Sequence, residues 1–306
     1  MTDAALVPDV KRDGVMSIAY PPIFEDADVA SRAGQLRTKR LAGGELVLLV
    51  AAAAVATTQG ILPGVLDVRW DRALAAALLF VAFVARVANR LTGADDEWFD
   101  GRAVAETIKS AAWKYAVHAY PYDGDDRAAD VAFYATVRDT LEARQDLAAC
   151  LHQGTRNGSQ ITPWMRSLRS APLAERSLAY LAERVDDQAA WYAARTEGNR
   201  RAAGRWFWLG LGFEIVAVLV AIGLVVATSA PDVVGVLATL AVAVTAWNQT
   251  GRHDELSKSY GLAANEIVLL RTRVEMAGDE ESFGAAVNDV ELAVSREHTM
   301  WMARRS

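Results

Sequence analysis

Three ionisable side chains, Glu45, Arg86 and Glu214, interrupt stretches of this chain that are otherwise apolar. Moving a charge from water into hydrocarbon is costly unless the group is paired, reaches a polar surface or lines an aqueous path, so such residues are functional candidates by default. Their signs allow an Arg86–Glu45 or an Arg86–Glu214 ion pair, which would neutralise the charges and either hold helices together or edge a polar path for conduction or gating. The simpler reading of Arg86 is that its long side chain reaches the headgroups unaided, since Arg90 lies about one turn further on.

Other chemistry is sparse. His118, His152, His253 and His298 fall on four separate expected elements with no ligand spacing between any two, which argues against a metal site. The acid pairs Asp95–Asp96, Asp125–Asp126 and Asp186–Asp187 have the oxygen ligands a divalent cation takes, but such pairs usually start helices or face solvent. No glycine-rich phosphate loop, nucleophile elbow or zinc-binding helix motif is present. Cys150 beside His152 lacks the third group that would make it a nucleophile. The chain is therefore expected to be non-enzymatic and to carry no cofactor and no metal. Aromatic residues cluster outside the apolar stretches, from Trp98 and Trp113 to Trp191 and Trp301, mostly as core between paired helices. A ligand pocket combining these aromatics with Lys109, Lys114 and Arg195 is the alternative.

The elements that position the three ionisable residues read as two membrane hairpins. Between Trp206 and Trp247 the sequence WFWLGLGFEIVAVLVAIGLVVATSAPDVVGVLATLAVAVTAW carries charge only at Glu214 and Asp232 and breaks near its middle. An earlier stretch, Leu41 to Leu91, repeats the design around Pro63 and Gly64. Spans are expected at about 44–62, 73–91, 206–228 and 233–248. The alternative is a large soluble bundle, and the segment that tests it is Val233 to Trp247, which has only about 15 residues, roughly 22 Å at the helical rise. Trp206, Trp208 and Trp247 gather at one end of the pair, as interfacial anchors do.

The 52% hydrophobic content of the 306 residues is concentrated in these blocks. The net charge of −6, without a long basic run, argues against nucleic acid as a partner. A single cysteine excludes a disulfide within the chain and fits a reducing compartment. Residues 1–40 contain no apolar core of a signal peptide, so the first membrane helix is expected to act as its own insertion signal. Arg32, Arg37, Lys39 and Arg40 precede the first hairpin, Arg86 and Arg90 end it, Arg200, Arg201 and Arg205 precede the second, and Arg252 and Lys258 follow it. Positive charge stays on the cytoplasmic side, so a multi-pass protein of the inner (plasma) membrane with both termini cytoplasmic is expected. Arg69 and Arg72 in the outer turn run against this, although Asp67 and Asp71 sit beside them.

The remaining chain has helical periodicity. Val104, Ile108, Ala111 and Tyr115, continued by His118, form one stripe; Tyr134, Val137, Leu141, Ala148 and Leu151 form a second after the break at Pro121. Residues 152–163 read as loop. From Pro172 a long helix with the stripe Leu178, Leu181, Val185, Gln188 and Tyr192 is expected to enter the membrane unbroken, followed after the second hairpin by stripes at Leu256, Tyr260, Ala263, Ile267, Leu270 and Val274 and at Phe283, Val287, Val290, Val294 and Trp301. Each half thus repeats helix, hairpin, helix, turn, helix. The expected organisation is a flexible tail (1–24), a first two-span unit with its helix pair (25–152), a linker (153–171) and a second such unit (172–306). The fold class is an all-α membrane protein with two transmembrane hairpins, long cytoplasmic helices, antiparallel helix pairs and no sheet.

The runs GRAVAETIKSAAWKYAVHAYPYDGDD, ITPWMRSLRSAPLAERSLAYLAERVDDQAAWYAARTEGNRRAAGRWFW and AWNQTGRHDELSKSYGLAANEIVLLRTRVE resemble the SLATT group of two-transmembrane bacterial proteins, here in tandem over residues 25–300. The resemblance implies a pore-forming or membrane-disrupting effector of a prokaryotic antiviral conflict system, set off by a separate sensor or a nucleotide second messenger. Gly43, Gly44, Ala51, Ala52, Gly210 and Gly212 permit close helix approach, and one four-helix unit leaves little room for a channel, so conduction would require a homo-oligomer in the lipid bilayer. A non-conducting scaffold, or a ligand-sensing receptor recruiting partners through its cytoplasmic helices, is the rival reading.

Overall fold

A computed structural model describes residues 18–57, 68–151, 158–226 and 233–303 of the chain. The expected tail up to residue 17, both hairpin turns including Pro63, Gly64, Asp67 and Asp232, and His152 lie outside the described residues. The described residues are all-helical, without strand. In order, the elements are α1 (Pro22–Ala56), α2 (Val68–Leu91), α3 (Ala94–Ala116), α4 (Asp126–Glu142), α5 (Gln145–Cys150), α6 (Pro163–Arg169), α7 (Leu173–Tyr180), one π-helical turn (Leu181–Val185), α8 (Asp186–Val226), α9 (Val234–Gly251), α10 (His253–Met276) and α11 (Glu280–Ala303). They form two compact units, each drawing on both halves of the sequence.

The first unit comprises residues 18–28, 102–187 and 269–298. Its centre is α3, in which Val104, Ile108, Trp113 and Tyr115 are fully covered. Because alanine separates these large residues, neighbours approach α3 on several faces; the stripe expected on one face is a helix buried nearly all round. The helix stops at Ala116, and His118 leaves it at φ 67°. α4 begins at an Asp125 cap whose carboxylate accepts the Ala128 amide at 2.8 Å. Its buried face is Ala129, Phe133 and Val137, while Tyr134, read above as part of that stripe, is 46% exposed. α6 lies within the stretch expected as linker; Thr162 caps it and Trp164 and Met165 pack into the core.

The π turn changes which residues of the next helix face inward. It takes one more residue per turn than the α-helix. Arg176, Tyr180, Arg184, Gln188 and Tyr192 are buried at a constant spacing of four, Val185, Gln188 and Tyr192 of the expected stripe are buried with them, and Leu178 is left 68% exposed. Ile267 and Val274 on α10 and Phe283, Val287, Val290 and Val294 on α11 are buried where the sequence pattern puts them.

The second unit comprises residues 29–101 and 188–268, with 299–303. α1, α2, α8 and α9 supply its apolar helices. Two helical runs, within Arg69–Ala116 and Leu173–Val225, are long and apolar enough to cross a membrane, and only 11% of either apolar window is buried. A soluble core helix would be mostly covered. Instead Phe80, Phe83, Trp208, Leu219, Ile222 and Val225 point outward, an apolar surface that water does not tolerate at this extent. Among the described residues α1 and α9 do not reach that length and apolarity, α1 because Lys39, Arg40 and Glu45 fall within it, α9 because it ends in Asn248, Gln249 and Thr250. Gly43 and Gly210 close the packing: a Cβ on Gly43 would stand 3.1 Å from the Trp247 ring, and one on Gly210 3.5 Å from Val244. Gly44 and Gly212 face open space.

Candidate functional site

Glu45 on α1 and Arg86 on α2 meet. The Arg86 Nε donates to Glu45 Oε1 at 2.7 Å and Nη2 lies 2.5 Å from the same oxygen. The side chains are 14% and 71% exposed, so the carboxylate is tucked between helices while the guanidinium keeps an open face. Of the two pairings the sequence allows, this one is made. Glu214, two turns beyond Trp206 on α8, is exposed between Ile215 and Phe213, and no ion pair engages it among the described residues. Two ionisable residues of the apolar helices are therefore joined and the third stands apart on an apolar face.

The three tryptophans do different things. Trp208 is 69% exposed, placed as an interfacial anchor would be. Trp206 is half-buried, with the Arg205 guanidinium 5.3 Å from its ring centroid. Trp247 packs against Gly43, where a Cβ would stand 3.1 Å from its ring, and so serves helix packing.

Polar residues missed by the sequence reading lie at the heart of the first unit. Arg184 and Glu291 are each 1% exposed and form a two-pronged pair, Nε to Oε1 at 2.9 Å and Nη2 to Oε2 at 2.7 Å. The Tyr180 hydroxyl donates to the same Oε1 at 2.9 Å. Burial works against charge on Arg184, but the Glu291 carboxylate outweighs it and holds the guanidinium protonated. Nearby, the Trp113 indole donates to the Tyr20 hydroxyl at 3.0 Å, and burial pushes that phenol up to about 12. Lys109 lies over the Tyr20 ring at 5.6 Å; burial, and then the Arg184 charge, hold its ammonium below the usual lysine range.

Two further arginines close the end of α3. A helix leaves its last four carbonyls without partners. Arg169 donates to the carbonyls of Tyr115 at 3.1 Å, Tyr122 at 2.7 Å and Gly124 at 2.7 Å, and to Asp126 at 2.9 Å. Arg176 donates to the Val117 carbonyl at 2.8 Å and pairs with Glu280. His118 sits in this turn, its imidazole held below the usual range by burial and then by Arg169 and Arg176. The one signal that could have revealed these residues is the spacing of four from Arg176 to Tyr192, hidden because arginine was read as surface.

Among the described residues no cluster of three His, Cys, Asp or Glu side chains is placed to hold a metal. Lys109 and Lys114 belong to the first unit and Arg195 to the second. The arrangement supplies two helical runs long and apolar enough to cross a membrane, an ion pair that ties Arg86 of one run to Glu45 of α1, a lone carboxylate on the other run, and a helical unit locked by buried arginines.

No curated protein and no solved structure is similar enough to the chain to count as a match. Two family models do match, in tandem: SMODS and SLOG-associating 2TM effector domain 3 over residues 21–177 and SMODS and SLOG-associating 2TM effector domain 1 over residues 180–301. The first alone spans half of the chain, and with the all-helical architecture and its two membrane-crossing runs it follows that the chain belongs to the SLATT family of membrane effectors, carrying two such domains in sequence.

Proposed function

We propose that this protein is a non-enzymatic effector of a bacterial antiviral conflict system that assembles from several copies in the inner membrane and opens a pore or perturbs the bilayer, on a signal from a separate sensor or a nucleotide second messenger. All four apolar helices span, with α3–α7, α10, α11 and both termini on the cytoplasmic side. The observation that carries this reading is Glu214. It lies eight residues beyond Trp206, about 12 Å along the helix, too deep for its short side chain to reach the headgroups. A lipid-facing charge at such depth costs about 2.5–3.5 kcal/mol. Facing a second copy or a water-filled path removes that cost, and the open face of Arg86 offers a charge of the right sign.

The test is dye release from vesicles of bacterial phospholipid bearing the purified chain at increasing surface density. Assembly predicts release rising more steeply than density, with Glu214→Leu inserting equally well and releasing at least tenfold less. Release proportional to density, or unchanged in that variant, would count against it.

A further inference from the structure

The charges on the four apolar helices of the second unit do not cancel. Within the expected spans, 44–62, 73–91, 206–228 and 233–248, the ionisable side chains are Glu45, Arg86, Arg90 and Glu214. Arg90 stands one residue before the end of α2, where its long side chain reaches the headgroups. Arg86 holds Glu45 through Nε at 2.7 Å and Nη2 at 2.5 Å, so that pair carries no net charge. Glu214 is left over. Whichever group meets the open face of Arg86, two carboxylates and one guanidinium leave one negative charge per copy in the inner half of the membrane.

The surroundings of Glu214 are polar on one side. Gly210 precedes Glu214 by one turn on α8, so the two share a face. A Cβ on Gly210 would stand 3.6 Å from the Thr245 Oγ1 of α9. Glu214 therefore lies about 6 Å deeper along the α8 face that Thr245 borders. A threonine within a helix turns its hydroxyl back onto the carbonyl four residues earlier, as Thr239 does to Gly235 at 2.8 Å and Thr250 to Ala246 at 2.9 Å on the same helix. Thr245 does not. It is exposed, and among the described residues nothing bonds its hydroxyl. An open hydroxyl and a lone carboxylate along one face are both costly against lipid tails and both satisfied by water.

We infer that the path opened by assembly conducts small monovalent cations and excludes anions, with Glu214 setting the sign and Thr245 lining its cytoplasmic approach. The inference rests on the assembly reading above and adds the ion class to it. Copies arranged around a closed axis bring their Glu214 carboxylates to one depth. A ring of carboxylates in a narrow passage with low-dielectric walls concentrates cations and repels anions.

The test is the reversal potential of the full chain in planar bilayers of zwitterionic lipid under a KCl gradient. The wild type should reverse toward the K⁺ equilibrium potential, with K⁺ permeating at least about fivefold more readily than Cl⁻. Glu214→Asp keeps the charge and should keep that preference. Glu214→Gln keeps the polarity without the charge and should conduct with a preference below about twofold, and Glu214→Lys should turn it toward Cl⁻. Glu197→Gln removes a carboxylate of α8 outside the span, one that pairs with Arg200 and Arg201, and should leave the preference unchanged. Wild-type currents that favour Cl⁻ or neither ion would overturn the inference and leave pore formation standing. An undiminished preference in Glu214→Gln, or an equal loss in Glu197→Gln, would overturn the assignment to Glu214. No current at any surface density would sink pore formation and the inference with it. Because the preference is read on the wild type, it is decided even where a variant fails to assemble.

Discussion

Glu291→Leu should be among the most damaging single substitutions in the chain. Arg184 and Glu291 are each 1% exposed, so removing the carboxylate takes from a buried guanidinium the partner that holds both its Nε and its Nη2. Breaking a buried pair from one side costs about 3–5 kcal/mol. Against a total stability of about 5–15 kcal/mol that is roughly a fifth of the total or more, and it corresponds to a fall in Tm of roughly 6–20 °C for a unit of this size. Glu291→Gln keeps an acceptor for Arg184 or Tyr180 but loses the charge, and should fall between. Arg184→Met/Glu291→Leu removes both charges and restores apolar volume, and should recover more than half of the loss, since a buried pair contributes little net stability over hydrophobic residues of similar volume. Tryptophan fluorescence on heating reads the transition through Trp113, which packs edge-on against Tyr180 at 5.7 Å. The reasoning is refuted if Glu291→Leu lowers Tm by less than 2 °C, or if the double variant is no more stable than the single one.

Other outcomes follow from the same structure. Arg169→Ala strips partners from three carbonyls and Asp126 and should cost about 3–5 kcal/mol, with Arg169→Lys recovering under half because an ammonium lacks the planar fork; chemical denaturation measures both. Gly43→Leu puts side-chain atoms 3.1 Å from the Trp247 ring and should destabilise by about 1–3 kcal/mol, whereas Gly44→Leu, with nothing within 4 Å, should be nearly neutral in detergent. His118 and His253 are held below the unfolded histidine value of 6.5, so unfolding takes up protons; stability should fall as pH drops below about 6.5 through the folded values, and His118→Asn/His253→Asn should flatten that slope in a Tm-against-pH series.

What the sequence made legible was what depends on periodicity. The apolar blocks, the stripes Ile267–Val274 and Phe283–Val294 and the helix start at Asp126 could be placed because spacing of three or four fixes a helix face, whereas charge alone left Arg86 two partners, Glu45 and Glu214, and only packing chose Glu45. The face leading into the π turn could not: Tyr180 and Arg184 are buried and Leu178 is exposed, whereas Val185, Gln188 and Tyr192 are buried as the stripe has them, and nothing in LAERV announces the turn. Buried arginines were likewise hidden, since their partners are backbone carbonyls near Tyr122 or a glutamate over a hundred residues away. The tandem plan was visible as a repeat, whereas the way each compact unit draws on both halves depends on long-range packing.

The central claim, assembly that covers Glu214, is tested most directly by imaging the purified full chain in detergent. The account predicts a closed ring of several copies, with α8 at the contact between neighbours and Glu214 facing a second copy or a central opening. Single-copy particles at every concentration, with Glu214 turned to the detergent belt, would contradict it.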